Sequence, residues 1–276
     1  MADDDLRDFD RSEFTHEGKT RTIFRIGDGP AVIVIAEMPG ITPKVLAFAR
    51  HVVAIGCTAV LPHLFGTPGR DVNPEALGLP RAAANFASSF VPTCVSREFV
   101  VLATGKTSPV VRWLRALAAE EHARCGGPGV GAIGMCFTGG YALAMATDER
   151  LLAPVLAEPS LPLPLPLTRS RRRSIDISRA DLDVVKNRCA SQGLQVLGLR
   201  FKGDRAVPRE RFDFLRAELG DAFVAVELDD DAANPDSPFP PHSVVTEHLI
   251  DEPGQPTREA LDQVLELFRS RLLPAP

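Results

Sequence analysis

Ala31-Val-Ile-Val-Ile-Ala36 is an unbroken apolar run, mostly β-branched, with no polar residue on either of its alternating faces. A strand of that kind has to be buried on both sides, the condition of an interior strand in a parallel sheet covered by helices. The residues that follow supply such a cover. Thr42 is placed to cap a helix, Pro43 suits its first turn, and Val45, Leu46, Phe48, Ala49, Val52 and Val53 form one apolar face before Gly56 stops it. The alternation then repeats. Strands are predicted at 13–16 and 20–26 around a Glu17-Gly18-Lys19 turn, and at 58–61, 129–134, 151–157, 194–201 and 222–228. Helices are predicted at 107–123, 138–146, 178–191, 209–219 and 257–272. Units of this type close by right-handed crossovers into one sheet. The expected fold is α/β, an eight-stranded, mostly parallel sheet with the first two strands antiparallel and helices on both faces. One domain over 1–276 suffices.

Three segments stand outside the pattern. Residues 1–11 open on an acidic run and are expected to be flexible. Residues 63–106 are broken by Gly66, Pro68, Gly69, Pro74, Gly78, Pro80 and Pro92, with a short helix expected at 82–90. An irregular excursion of that length is commonly a lid or binding loop. Residues 159–173 alternate Pro and Leu before an arginine cluster, and their prolines exclude both a helix interior and a central strand, so an extended connection is expected.

Composition excludes several functions. The net charge of −5, with one Trp and one Tyr, argues against a nucleic-acid binder despite Arg169, Arg171, Arg172 and Arg173. No apolar run approaches the roughly 18 residues of a membrane span, and no secretory leader opens the chain, so a soluble, cytoplasmic protein is expected. Five cysteines, an odd number with no CxxC pair, fit free thiols in a reducing compartment better than a disulfide framework or a zinc site. No Gly-x-Gly-x-x-Gly, Walker or metal-ligand motif appears, so no cofactor and no metal is implied.

One cysteine differs from the others. Cys136 lies in Gly134-Met-Cys-Phe-Thr-Gly-Gly140, between a buried strand and a helix. A sharp strand-to-helix turn with small neighbours presents a nucleophile above a sheet, and the helix start offers N–H groups and a positive dipole to an oxyanion or a thiolate. Gly203-Asp204 follows the strand at 194–201, and Pro241-His242-Ser243 follows the last strand. Taken singly, these read as a tight-turn cysteine, a turn aspartate and a loop histidine. In the order Cys136, Asp204, His242, each at a strand end, they match the nucleophile–acid–base sequence of α/β-hydrolases.

The chain resembles the dienelactone hydrolase family, a branch of the α/β-hydrolase fold with a cysteine nucleophile. The resemblance runs from Val32 to the terminal helix and is carried by Ile35-Ala36-Glu37 with Gly40, the Cys136 turn, Gly203-Asp204-x-x-Val207-Pro208, and His242-Ser243. It implies that Cys136 attacks a lactone or ester carbonyl, that His242 is the base, and that Asp204 orients the imidazole. It also implies that Glu37 pairs with the thiol, that the backbone N–H groups of Phe137 and Met38 form the oxyanion hole, and that Arg97 grips a substrate carboxylate. A surface salt bridge is the alternative for Arg97. His63, at a strand end, is a further candidate for lining the pocket. The implied partner is a small-molecule ester or lactone, with monomer and homodimer both open.

The sequence departs from the family at three points. Thr138 replaces the second glycine of Gly-x-Cys-x-Gly, Val101 stands where the founding enzymes carry a substrate-contacting tyrosine, and Thr246 stands where they carry an arginine that pairs with the glutamate. Ester or lactone hydrolysis is therefore expected more firmly than action on dienelactone itself. His248 is an alternative base, although Glu247-His248 reads better as a helix-start or surface pair. Two rival functions are a cysteine amidase of the glutamine amidotransferase type and a non-catalytic ligand-binding scaffold. The first needs a His-x-Glu pair, which His242-Ser-Val244 and His248-Leu-Ile250 both lack.

Overall fold

The computed structural model describes residues 3–71, 96, 98–164 and 168–274. Its strands are β1 (Asp10–His16), β2 (Lys19–Ile26), β3 (Ala31–Ile35), β4 (Thr58–Pro62), β5 (Val130–Met135), β6 (Leu151–Ala157), β7 (Val196–Phe201) and β8 (Phe223–Leu228). They form one eight-stranded sheet in the order β1-β2-β4-β3-β5-β6-β7-β8. The β1–β2 and β2–β4 pairs are antiparallel, and every pair from β4–β3 to β7–β8 is parallel. The β1–β2 turn places Glu17 and Gly18 at φ 48° and 72°, the left-handed pair that matches the twist of a two-residue hairpin.

The helices are α1 (Pro43–Ala54), α2 (Val110–Cys125), α3 (Tyr141–Met145), α4 (Arg169–Arg172), α5 (Arg179–Gln192), α6 (Arg209–Leu219) and α7 (Pro256–Leu272). Local signals set several of their ends. The Thr42 hydroxyl accepts the Val45 N–H at 3.4 Å, the Ser178 hydroxyl accepts the Asp181 N–H at 3.1 Å, and Gly193 ends α5 in the left-handed conformation.

Strand β3 shows how one run serves two cores. Ile33 and Ile35 pack on one face with Leu114 and Leu117 of α2, Tyr141 of α3, Val185 of α5 and Phe212 of α6. Val32 and Val34 pack on the other with Val45 and Phe48 of α1 and Leu261 and Val264 of α7. The period of two divides the strand between the faces, and each fully buried Val or Ile contributes about 1.5–3 kcal/mol. Among the described residues no helix is long and apolar enough to cross a membrane.

Three expectations need correction or restriction. Residues 3–9 are fastened rather than loose: Arg50 binds Asp4 and Asp8 at 2.8 Å, the Asp4 N–H donates to Gly69, and Phe9 is buried. Within the 159–173 connection, Pro159, Pro162 and Pro164 lie outside helix and strand as expected, but the connection includes the short helix α4, because the Thr168 hydroxyl caps the Arg171 N–H at 3.4 Å. Most of the 63–106 excursion, with the helix expected at 82–90, lies outside the described residues.

Candidate active site

Parallel strands bring their carboxyl ends to one edge, and four chemically capable residues stand there. Cys136 follows β5 directly, Glu37 follows its neighbour β3, Glu158 follows β6 on the other side, and Asp204 follows β7. Cys136 has φ 51° and opens a 3-10 turn, Cys136–Thr138, ahead of α3. A non-glycine residue in that region costs on the order of 1–3 kcal/mol, which the surroundings must offset. They do so by close packing and hydrogen bonds. A Cβ at 134 would run into the Thr138 carbonyl, and one at 139 into Pro159. The Cys136 carbonyl accepts the N–H groups of Gly139 and Ser160 at 3.0 and 2.9 Å. Thr138 is buried, accepts the Met135 N–H at 3.0 Å and donates to the Ile35 carbonyl at 2.7 Å. Its hydroxyl thus ties the turn to the end of β3, which accounts for a threonine where the motif has glycine.

Asp204 and His242 meet as their order suggests. His242 Nδ1 lies 2.6 Å from Asp204 Oδ2, and Asp204 Oδ1 accepts the Ala206 N–H at 2.8 Å. The imidazole also faces the Cys136 side chain, and that neighbour favours the charged ring. Burial opposes a charged imidazole. Negative charge on Cys136, the Asp204 hydrogen bond and the Asp204 charge outweigh it, holding His242 well above the usual histidine range. The arrangement sets a cysteine side chain beside an imidazole that is backed by a carboxylate.

Glu37 reaches the same edge, and its carboxylate accepts hydroxyls from both Ser243 and Thr246 on the loop that carries His242. Thr246, at the family's arginine position, therefore keeps the contact with the glutamate and replaces an ion pair by a hydroxyl. The pairing of Glu37 with the thiol is not among the hydrogen bonds of the described residues.

Two residues at the site, Glu158 and Ser160, escaped the sequence reading, and a third, His248, was placed wrongly by it. Glu158 is fully buried at φ 38°, its Oε2 accepts the Val244 N–H at 3.2 Å, and its Oε1 has no hydrogen-bond partner among the described residues. Burial, then the charge of Glu37, pushes its carboxyl well above the usual range. The signal that singled out Glu37, a glutamate just beyond a buried strand, was equally present at Glu158. Ser160, 3% exposed, sets its Oγ 3.6 Å from Cys136 Sγ. His248 corrects the expectation of a helix-start or surface pair: it is 1% exposed and packs edge-on to Phe201. Its Nδ1 accepts the N–H groups of His242 and Ser243 at 3.4 and 3.2 Å, while Nε2 lies 3.1 Å from the Phe239 carbonyl. Burial holds its pKa below the usual value, consistent with a neutral ring that braces the loop carrying His242.

The remaining candidates are placed less centrally. Phe137 is buried within edge-to-face contacts with Phe65, Phe99 and Tyr141, and Met38 packs against the same cluster. Val101 is buried beside them. His63 sets Nε2 2.9 Å from the Gly66 carbonyl, fastening a loop that packs against Pro39 and Gly40. No hydrogen bond joins it to Cys136 or His242 among the described residues. Arg97 lies outside the described residues. Cys57, Cys125 and Cys189 are free thiols whose pKa values burial raises, with Cys57 pushed to about 11, and Cys94 lies outside the described residues.

Comparison with solved structures places this arrangement in context. A dienelactone hydrolase-like promiscuous phosphotriesterase from metagenomic libraries is similar at 17% identity and TM-score 0.60, covering 96% of this chain and 98% of that one. The dienelactone hydrolase of Anabaena variabilis is similar at 14% identity and TM-score 0.51, covering 96% and 100%. A cold-adapted esterase from an Arctic intertidal metagenomic library gives 14% and 0.52, covering 95% and 92%. At such identities the likeness speaks for the α/β-hydrolase fold alone. No curated protein matches the sequence. The dienelactone hydrolase family itself matches residues 24–195, well over half of the chain, across the first buried strand, the Cys136 elbow and the segment that carries Glu158. The chain belongs to the dienelactone hydrolase family.

Proposed function

We propose that this protein is a cysteine-dependent hydrolase of small lactones or carboxylic esters. The observation that carries the reading is the line of contacts from the strained Cys136 through His242 to Asp204, with Nδ1–Oδ2 at 2.6 Å. The Cys136 sulfur adds to the carbonyl carbon, and the carbonyl electrons move onto oxygen. The N–H groups of Phe137 and Met38 receive that oxyanion. Collapse breaks the carbon–oxygen bond to the leaving group, which takes its proton from His242 and leaves a thioester on Cys136. Water, deprotonated by His242, then releases the acid and restores the thiolate. Asp204 keeps the proton on Nδ1 and stabilises the imidazolium.

Glu37, held by Ser243 and Thr246, steadies the loop bearing the base from beside the nucleophile. Its pairing with the thiol, and substrate contacts at Arg97 and His63, belong to the same reading by family resemblance. A site whose glutamate meets Thr246 in place of an arginine suits uncharged esters and lactones as well as carboxylate-bearing ones. Free thiols and a thiolate nucleophile fit a reducing compartment, the cytoplasm. The test is a panel of lactones and short-chain activated esters against the wild-type protein before and after iodoacetamide. Matched loss of activity and of one fast-reacting thiol at Cys136 is expected. Full activity after Cys136 is alkylated would exclude the mechanism.

A further inference from the structure

The segment after β6 meets the nucleophile in a way the proposed triad does not use. Glu158 turns the chain through its left-handed φ of 38°, and two residues later Ser160 doubles back onto Cys136. The Ser160 N–H donates to the Cys136 carbonyl at 2.9 Å, and Ser160 Oγ lies 3.6 Å from Cys136 Sγ. Ser160 is 3% exposed. The side chain is therefore fixed from both ends, its backbone on the residue it serves and its hydroxyl on the sulfur.

From this geometry we infer that Ser160 is a catalytic residue, donating its hydroxyl hydrogen to the Cys136 sulfur and holding it as the attacking thiolate. The direction follows from chemistry. A thiolate has no proton to give, so in the Cys136–Ser160 contact only the hydroxyl can donate. His242 faces the same sulfur, so the thiolate has one charged neighbour and one neutral donor. The hydroxyl matters because carboxyl groups nearby, wherever they ionise, disfavour negative charge on sulfur. Glu37 stands at the end of β3 and Glu158 at the end of β6, flanking the nucleophile's strand on both sides. Among the described side chains beside the sulfur, His242 and Ser160 favour the thiolate. When the sulfur attacks, its negative charge passes to the substrate oxygen, and the Ser160 hydrogen bond weakens as the carbon–sulfur bond forms.

The inference rests on the proposed thiol mechanism, and the experiment separates the two. The rate of alkylation of Cys136 by iodoacetamide, in which sulfur displaces iodide, is measured against pH for the wild-type protein and for Ser160→Ala. His242, Asp204, Glu37 and Glu158 are unchanged by that substitution. Loss of one hydrogen bond to a charged group is worth roughly a tenfold change. The midpoint of the profile is expected to rise by about one pH unit, with the alkaline plateau within about twofold of wild type. A merely structural defect would lower the plateau and leave the midpoint in place, and an unmoved midpoint overturns the inference. The pair Ser160→Thr and Ser160→Val guards against misfolding, because the two differ only in the hydroxyl. Thr is expected to keep the wild-type midpoint and Val to raise it; equal midpoints would also overturn the assignment. If wild-type esterase activity survives alkylation of Cys136, the thiol mechanism itself fails, whatever Ser160 does to the midpoint.

Discussion

His242 Nδ1 sits 2.6 Å from Asp204 Oδ2, and in the proposed mechanism that contact decides which face of the imidazole does chemistry. With Nδ1–H committed to the carboxylate, Nε2 is left to face the Cys136 sulfur. Asp204 is itself steadied by the Ala206 N–H at 2.8 Å, so the acid is fixed before the base docks on it. Asp204→Asn keeps the shape and removes the charge that stabilises the imidazolium. Turnover of activated esters is expected to fall by roughly a hundredfold or more. Steady-state kinetics with circular dichroism as a folding control checks this, and unchanged kcat/KM would remove Asp204 from the mechanism.

His248 supports the base from below. Its Nδ1 accepts two consecutive backbone N–H groups, those of His242 and Ser243, and it can do so only while neutral. Burial lowers its pKa from the ordinary 6.5, so the unfolded chain takes up this proton before the folded one does. The stability it contributes is present above pH 6.5 and is lost as pH falls through and below that value. His248→Ala should cost about 1–3 kcal/mol by leaving the two N–H groups without an acceptor. His248→Gln, which can accept and donate at similar points, should restore much of that loss and remove the acid-side decline. Denaturant unfolding from pH 5 to pH 8 distinguishes these outcomes; a Gln variant with the wild-type acid decline would contradict them.

Glu158 titrates with the opposite sign. Burial and the charge of Glu37 raise its pKa above the ordinary 4.5, so the folded protein keeps this proton where the unfolded chain has released it. Its contribution is fully present below pH 4.5 and is lost as pH rises toward the folded value. Glu158→Gln retains an acceptor for the Val244 N–H without the ionisation. The variant should therefore gain on wild type as pH rises, by about 1 kcal/mol or more at alkaline pH. Thermal unfolding from pH 5 to pH 9 tests this, and a pH-independent difference would show that Glu158 does not carry the proton.

Sequence and structure agree where the determinant is local. Thr42 and Ser178 cap the helices their positions suggest, and the run 31–36 forms a strand buried on both faces because its pattern allows nothing else. The meeting of Asp204 and His242 was legible from their order along a fold that stacks strand ends. The position of Ser160 and the burial of His248 were not, because they follow from the adjacency of β6 to β5 and the path of one loop, neither of which leaves a local pattern. Arg211 illustrates the same limit. Nothing in the sequence singles it out, yet it is fully buried and donates to the carbonyls of Pro159, Pro162, Ser174 and Arg171, binding the proline-rich connection to α6. Burial draws its pKa down to about 9, still cationic at neutral pH. An arginine cage of carbonyls needs no motif, only a connection that returns past the helix.

The most direct test of the account is the hydrolysis rate of an activated short-chain ester by Cys136→Ala, measured beside wild-type protein of equal thermal stability. The left-handed φ at Cys136 and the chain of contacts to His242 and Asp204 predict loss of turnover by roughly a thousandfold or more, with the fold intact. Activity within a few fold of wild type would contradict the assignment of Cys136 as the nucleophile.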